Sequence, residues 1–385
     1  MTRAGLTDFQ AIVAQLQAQP ETVARRYAPN GRRDGPVWRA LNPGRADRSV
    51  GSFWVNLAGP HVGRWRDEAT GEGGDMLDLI QLALGCDRAA AVQEARAFLG
   101  IAEDETPEQR ALRRRAAERA ARQVEEARAQ AEADAAKKRA RARGLWMGAA
   151  PIENTPAAAY LTGRCVGIGD LGRAPNALRF VPRLRHYHED EETGEVFEGE
   201  WPAMVAAVHG PWRPDAPPEL IGAHITWLAP NGRGGWGKAP VPKPKKVRGQ
   251  HRGGFIRLWS GWGPRGGKGR PIAQAREGAR LFIAEGIEDA LSAAVLLGDA
   301  PDVYIVAALN LGNMEAVELP PQLTDVTIIA DQDPGEKQRA VIERAAVRLA
   351  GEGRRVGVWR NHHGGKDLND ALRMARAAER KEGAA

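Results

Sequence analysis

The residues best placed to do chemistry in this 385-residue chain are acids that follow short apolar runs. Leu281 to Ala284 runs into Glu285-Gly286, and Val326 to Ala330 runs into Asp331-Gln332-Asp333, with a further apolar run, Val303 to Ala308, between them. Short β-branched runs alternating with a helical pattern, here Ile287 to Leu297, predict parallel strands joined by crossover helices. The carboxyl ends of such strands share one edge, and ligands bind in the crevice there. Glu285, Asp331 and Asp333 are therefore expected to converge, with Asp289 one helical turn beyond Glu285 on the same side. Gathered carboxylates repel one another unless a cation neutralises them, and oxygen-only donors favour Mg²⁺ or Mn²⁺ over zinc. Cations about 4 Å apart would activate a hydroxyl and stabilise a leaving pyrophosphate, which is the chemistry of nucleotidyl transfer.

Three stretches occur in order: Glu285-Gly286-Ile287-Glu288-Asp289-Ala290, then Asp331-Gln332-Asp333, then Gly365-Lys366-Asp367-Leu368-Asn369-Asp370. Together they resemble the motifs of the Toprim domain in its primase-like form, over roughly residues 279–375. The resemblance implies an α/β domain at 277–385, a parallel sheet with flanking helices. It implies catalytic roles for Glu285, Asp289, Asp331 and Asp333. It also implies a metal site of Glu285, Asp331, Asp333 and Asp367, the last brought in if Gly364-Gly365-Lys366 folds back over the sheet edge. Lys366 is expected among the residues that meet nucleotide. Asn369 stands where replicative relatives frequently have an acid, so it is not expected to bind metal directly. The plainer alternative is a flavodoxin-like or Rossmann domain with incidental acids at its strand ends.

The net charge of +6 and pI near 9.5 suit a polyanionic partner, although heavy Ala, Arg and Gly usage weakens any argument from arginine count. No apolar run reaches transmembrane length, and the N-terminus lacks a signal-peptide core. Cys86 and Cys165 cannot build a disulfide framework and read as reduced thiols of a cytoplasmic protein.

Four segments are expected: 1–103, 104–144, 145–276 and 277–385. The first shows a helical pattern over 6–28, short strands at Val37–Ala40, Gly51–Leu57 and His61–Arg66, then helices at Met76–Leu84 and Arg88–Leu99. This order, with Gly-Gly-Asp-Met-Leu-Asp-Leu-Ile at 73–80, resembles the zinc-binding N-terminal domain of bacterial and phage primases. That family carries Cys and His ligands on its strand turns, which are missing here, so a small α+β relic without zinc is expected. Trp38, Trp54 and Trp65 either stack on single-stranded bases or fill the core. Residues 104–144 read as a long charged helix with solvated faces, although Arg113-Arg114-Arg115 and Lys137-Lys138-Arg139 could contact nucleic acid.

Residues 145–276 read as a mixed α+β basic domain, with strands at Leu178–Pro182, Ala203–His209, Glu219–Ala229 and Phe255–Trp259 and an acidic turn at Asp190–Gly199. Its Gly/Pro/Lys loop between Gly232 and Gly254 should stay extended with its cations unpaired. Lys243, Lys245, Lys246, Arg248 and Arg252 are therefore nucleic-acid or nucleotide contacts, unless the loop is only solubilising. Pro244-Lys245-Lys246 followed by Gly253-Gly254-Phe255 is similar to the region preceding Toprim in phage and plasmid primase-like proteins. The run Gly263 to Gly269 lacks the spacing and Ser/Thr of a P-loop and reads as a turn.

These features point to a Mg²⁺-dependent, primase-like nucleotidyltransferase of phage, prophage or plasmid type. It would make short RNA primers from NTPs on single-stranded DNA, with a separate replicative helicase as a further partner and no membrane association. Two rivals remain: a Toprim nuclease using the same carboxylates, and a catalytically inactive single-strand-binding replication adaptor.

Overall fold

The computed structural model describes residues 7–45, 47, 50–102, 105–214, 218–263, 267–298, 300–332, 335–361 and 364–382. The chain divides into two compact units, Met1–Asp134 and Ala135–Ala385.

The first unit opens with α1 (Asp8–Gln17) and α2 (Pro20–Tyr27). The periodicity over 6–28 suggests one helix, but Pro20 has no N–H to give to the preceding turn. The helix therefore stops, and the proline starts the next one, where its fixed φ is favourable. Next come β1 (Gly31–Asp34), β2 (Val37–Ala40), β3 (Phe53–Asn56), β4 (Trp65–Asp67) and β5 (Gly73–Gly74), paired antiparallel in sequence order. β1 and β5 have no sequence signature of a strand, because Gly-Arg-Arg-Asp and Gly-Gly carry no apolar alternation. Asp75 caps α3 (Met76–Leu84), its carboxylate accepting from the Leu77 and Asp78 N–H groups, and Asp87 caps α4 (Arg88–Phe98). Trp38 and Trp65 lie in the core with Phe53, Val55, Leu77 and Ile80, whereas Trp54 is half-buried on the opposite sheet face.

The loop after β2 and the end of β4 are joined by a polar knot. The buried Asp67 carboxylate accepts from the Asn42 amide at 2.7 Å and the Ala69 N–H at 2.9 Å, and pairs with Arg45 at 3.1 Å. Asp47 in turn holds Arg45 and the Asn42 N–H. Among the described residues, no three His, Cys, Asp or Glu side chains gather as a metal-binding group. Burial raises the Asp67 carboxyl, but Asn42, Ala69, Ser52 and Arg45 outweigh it and leave it below the usual range. Removing Asp67 strands buried donors, so Asp67→Ala should cost roughly 3 kcal/mol. A folded pKa below the unfolded one gives stability that is present above about pH 3.9 and lost as pH falls through the folded value. Chemical denaturation at pH 7 and pH 3 checks both points: the variant's deficit should shrink at pH 3.

A 41-residue helix, α5 (Pro107–Met147), runs through the expected charged segment. Arg113, within its Arg-rich run, is buried against Glu105 at 2.9 Å and lies 3.5 Å from Asp8.

The second unit continues with β6 (Ala150–Pro151), α6 (Pro156–Gly163) and α7 (Ile168–Leu171). An antiparallel sheet follows: β7 (Leu178–Glu189), β8 (Val196–His209), β9 (Leu220–Pro230), β10 (Trp236–Lys238) and β11 (Lys245–Gly249), with β10 and β11 both on β9. Part of the segment expected as an acidic turn is strand, since Val196 to Gly199 pair with β7. Last come β12 (Ile256–Trp259), β13 (Arg280–Ala284), α8 (Ile287–Leu297), β14 (Val303–Ala307), α9 (Leu311–Met314), β15 (Asp325–Ala330), α10 (Glu336–Gly351), β16 (Arg355–Arg360) and α11 (Leu368–Glu382).

This last sheet is ordered β12-β14-β13-β15-β16, with β13, β14, β15 and β16 parallel. The expected parallel sheet gains an antiparallel edge, because β12, from the preceding segment, runs against β14. Such edges are common on parallel sheets, and composition does not encode strand direction. Along β13 the faces alternate. Leu281 and Ile283 join Ile342, Ala345 and Leu349 of α10, while Phe282 and Ala284 join a core that includes Leu291, Leu368, Tyr160, Met204 and Leu228. The middle segment and the C-terminal sheet thus share one core. Among the described residues, no helix is long and apolar enough to cross a membrane.

Candidate active site

β13 ends at Ala284, and the chain turns through Glu285-Gly286 into α8. β15 ends at Ala330 and delivers Asp331 at the same sheet edge. Glu285, Asp289 and Asp331 line one cavity, with Leu311, Gln338 and Leu368 among its walls. Of the acids expected to converge, Glu285 and Asp331 thus share this cavity with Asp289, although the three are not packed into a ready cluster. Asp333 lies outside the described residues. Asp367 accepts the Asp370 N–H at 2.7 Å and so caps α11, and its charge is felt by both Asp289 and Asp331.

The loops that carry these acids are fastened together. The Gln332 N–H donates to the Lys366 carbonyl at 3.0 Å, setting the Asp331 loop beside the turn that precedes α11. Gly364 and Gly365 in that turn have φ of +85° and +80°, and a Cβ on Gly365 would come within 2.8 Å of the Asp370 Cβ. Asn369, buried at 1 % exposure, is fully engaged: its N–H donates to Asp289 at 3.0 Å and its amide to the Arg164 carbonyl at 2.8 Å and Ser292 at 3.0 Å. On the other side, Leu309 takes a φ of +74°, a costly conformation for a leucine, just before Asn310 caps α9. The Leu311 backbone that follows lines the same cavity and favours the ionised form of Glu285.

Like charge and burial shape the site's acidity. Burial, then Asp367, pushes Asp289 up to about 7, although the Asn369 N–H opposes the shift. Burial and Asp331 raise Glu285 against Lys245 and Lys366, and burial raises Asp331 against the Lys366 ammonium. Carboxylates held partly against ionisation, with oxygen donors only, form a set that a hard divalent cation would relieve.

A second cluster adjoins the first and was not foreseen. Glu288, at 7 % exposure, lies 2.9 Å from the Lys245 ammonium and accepts from the Tyr160 hydroxyl at 2.6 Å. Burial alone would raise this carboxyl, yet Lys245 and Tyr160 hold it well below the carboxylate range. Lys238 is drawn down first by burial and next by Lys245, and Arg164 contributes to the same field. Glu288 belongs to the turn-to-helix motif, and nothing local could name Lys245 and Tyr160 as its partners.

The other expected nucleic-acid contacts are dispersed, and the expectation of unpaired cations fails for Lys245, Lys246 and Arg248 among others. Lys245 is committed to Glu288, Lys246 donates to the Tyr187 carbonyl, and Arg248 donates to the Arg185 carbonyl at 2.9 Å. The reason is that the Pro/Lys loop is in part a strand, β11, from which Lys246 and Arg248 reach β7 and Lys245 reaches α8. Lys243 is exposed with a φ of +48°, Arg252 is exposed in the turn before Gly253, and Lys366 is exposed beside Asp331. Of the supposed turn from Gly263 to Gly269, residues 264–266 lie outside the described residues.

Comparison with known families adds a decisive observation: residues 280–378 match the model of the Toprim domain. The C-terminal part of this chain is a Toprim domain. Residues 136–258 match a family described as a domain of unknown function (DUF7146). No curated protein matches the chain. Among solved structures, it is similar to the zinc-binding and RNA polymerase domains of the Aquifex aeolicus primase, at 14% identity over 96% of this chain and 84% of that one, with a TM-score of 0.35. It is similar also to the primase fragment of the bacteriophage T7 primase-helicase protein, at 16% identity over 61% of this chain and 79% of that one, with a TM-score of 0.32. Within the Toprim domain, Glu285 and Asp331 stand at its strand ends, and Glu288 ties it to the DUF7146 segment that carries Lys245 and Tyr160.

Proposed function

We propose that this chain is a primase-like nucleotidyltransferase, of phage, prophage or plasmid type, that makes short RNA primers from NTPs on single-stranded DNA. The observation that carries the reading is the meeting of Glu285, Asp289 and Asp331 at the carboxyl edge of the Toprim sheet. Glu285, Asp331, Asp333 and Asp367 would hold Mg²⁺ or Mn²⁺, consistent with an all-oxygen donor set. The bound cation would supply charge neutralisation at the phosphorus undergoing transfer. Glu285, at the exposed mouth of the cavity, would either bridge to that cation or accept the proton of an attacking hydroxyl. Lys366, with Lys238 and Arg164 beyond Glu288, gives the acidic edge a positive border that favours a polyphosphate. Lys243, Lys245, Lys246, Arg248 and Arg252 would contribute by position and by field. A separate helicase would supply the unwound template.

Incorporation of labelled NTPs on a single-stranded template with Mg²⁺ tests the reading. Strand cleavage without incorporation would assign the same carboxylates to a nuclease, and strand binding with neither reaction would leave an adaptor.

A further inference from the structure

Behind the acidic cavity, one buried side chain holds three backbone groups. Asn313, at 4 % exposure, lies in α9, whose Leu311 and Met314 line the cavity with Glu285. Its carboxamide oxygen accepts the Gly253 N–H at 2.8 Å, and its nitrogen donates to the Gly254 and Ala308 carbonyls, each at 2.8 Å. The partners fix which way the carboxamide points, since the N–H requires the oxygen and the two carbonyls require the nitrogen. Among side chains of this length only asparagine offers an acceptor and two donors. Aspartate would set a carboxylate oxygen against two carbonyl oxygens, and leucine would leave all three backbone groups unpaired.

The three groups belong to two parts of the fold. Gly253 and Gly254 end the basic loop and are fixed by other bonds as well. The Gly253 carbonyl accepts the Glu318 N–H at 3.1 Å, Phe255 and His209 exchange two backbone hydrogen bonds at 2.9 Å, and a Cβ on Gly254 would collide with the His209 carbonyl. Ala308 opens the corner that leads from β14 to α9, and its N–H donates at 2.9 Å to the carbonyl of Ala284, the residue before Glu285. The next residue is Leu309, with its φ of +74°. A leucine keeps that conformation only where its surroundings impose it. On one side of Leu309, Asn313 holds the Ala308 carbonyl; on the other, the Asn310 carboxamide accepts the Asn313 N–H at 2.8 Å. Both bonds that bracket the strained residue end on Asn313.

We infer that Asn313 is a positioning residue for the acidic cavity. Anchored on Gly253 and Gly254, it imposes the strained corner 308–311 and so holds the wall of Leu311 and Met314 beside Glu285. The inference rests on the proposed cation site for the second of its two readouts and is independent of it for the first.

The first readout is hydrogen exchange of the full chain, followed by mass spectrometry in peptides that span β14 and α9. Asn313→Ala should speed exchange there about tenfold, because it leaves buried backbone groups without partners. Glycine takes a positive φ without strain. In a Leu309→Gly background the same Asn313→Ala change should therefore speed exchange less, by at least about threefold. Equal acceleration in the two backgrounds would show that Asn313 imposes nothing on Leu309 and would overturn the inference. Asn313→Ser, which keeps one donor and one acceptor, stands in if the alanine variant does not fold. The second readout is the Mg²⁺ concentration that half-saturates the rise in melting temperature. It should increase roughly tenfold in Asn313→Ala, the size of effect seen when support behind metal ligands is lost, and fall back in Leu309→Gly/Asn313→Ala. A loosened corner with no change in that concentration would leave Asn313 a structural residue only and would also overturn the inference. If the wild type gains no stability with Mg²⁺, the proposed cation site fails, and the exchange coupling alone decides whether Asn313 imposes the corner.

Discussion

Glu288→Ala should lower the stability of the second unit by about 3 kcal/mol, enough to shift its melting by several degrees. Removing one partner of a buried ion pair leaves the other uncompensated, a loss of order 3–5 kcal/mol. Lys245 retains 30% of its side-chain exposure and can turn toward water, which places the effect at the lower end. The Tyr160 hydroxyl, buried at 1 % exposure, has no such escape and loses its acceptor. Glu288→Gln keeps an acceptor for Tyr160 and should be milder. A double-mutant cycle with Lys245→Met, read by urea denaturation, should give a coupling of at least about 1 kcal/mol. Coupling near zero would show that Glu288 does not fasten Lys245 to the Toprim domain.

Asp331→Asn should lose nucleotidyl transfer by at least about 10³-fold while the protein stays folded. The amide keeps the shape of the side chain and its contact with Gln338 but removes a charge from the cavity. A cation's contribution to such a transition state is several kcal/mol, and each 1.36 kcal/mol is a factor of ten. The same change should appear in melting experiments. A ligand that binds only the native state stabilises it by about 2.7 kcal/mol at one hundred times its dissociation constant. The wild type should therefore gain stability with Mg²⁺, and Asp331→Asn should gain little. An equal gain in both proteins would place the cation elsewhere.

The Toprim edge was legible because its signals are local. The apolar runs before Glu285 and Asp331 mark strands, and an acid directly after a buried parallel strand has few places to point. The position of Asp367 depended on a turn, which the two left-handed glycines at 364 and 365 made possible. Strand direction and partner choice were not written locally. β12 gives no sign that it runs antiparallel, and Lys245 meets a glutamate 43 residues away. The basic loop looked free because the sequence shows charges but not the carbonyls of Arg185 and Tyr187 that receive them. The tryptophans of the first unit are a middle case. Period two separates Trp54 from its core neighbours, but only once β3 is paired to β2 and β4.

The most direct test of the central claim is labelled NTP incorporation on single-stranded DNA with Mg²⁺, run side by side for the wild type and Asp331→Asn. The account predicts short RNA products from the wild type, none without a divalent cation, and none from Asp331→Asn at equal template binding. Equal incorporation by the two proteins would contradict the proposed site, and no incorporation by the wild type with either Mg²⁺ or Mn²⁺ would contradict the proposed activity.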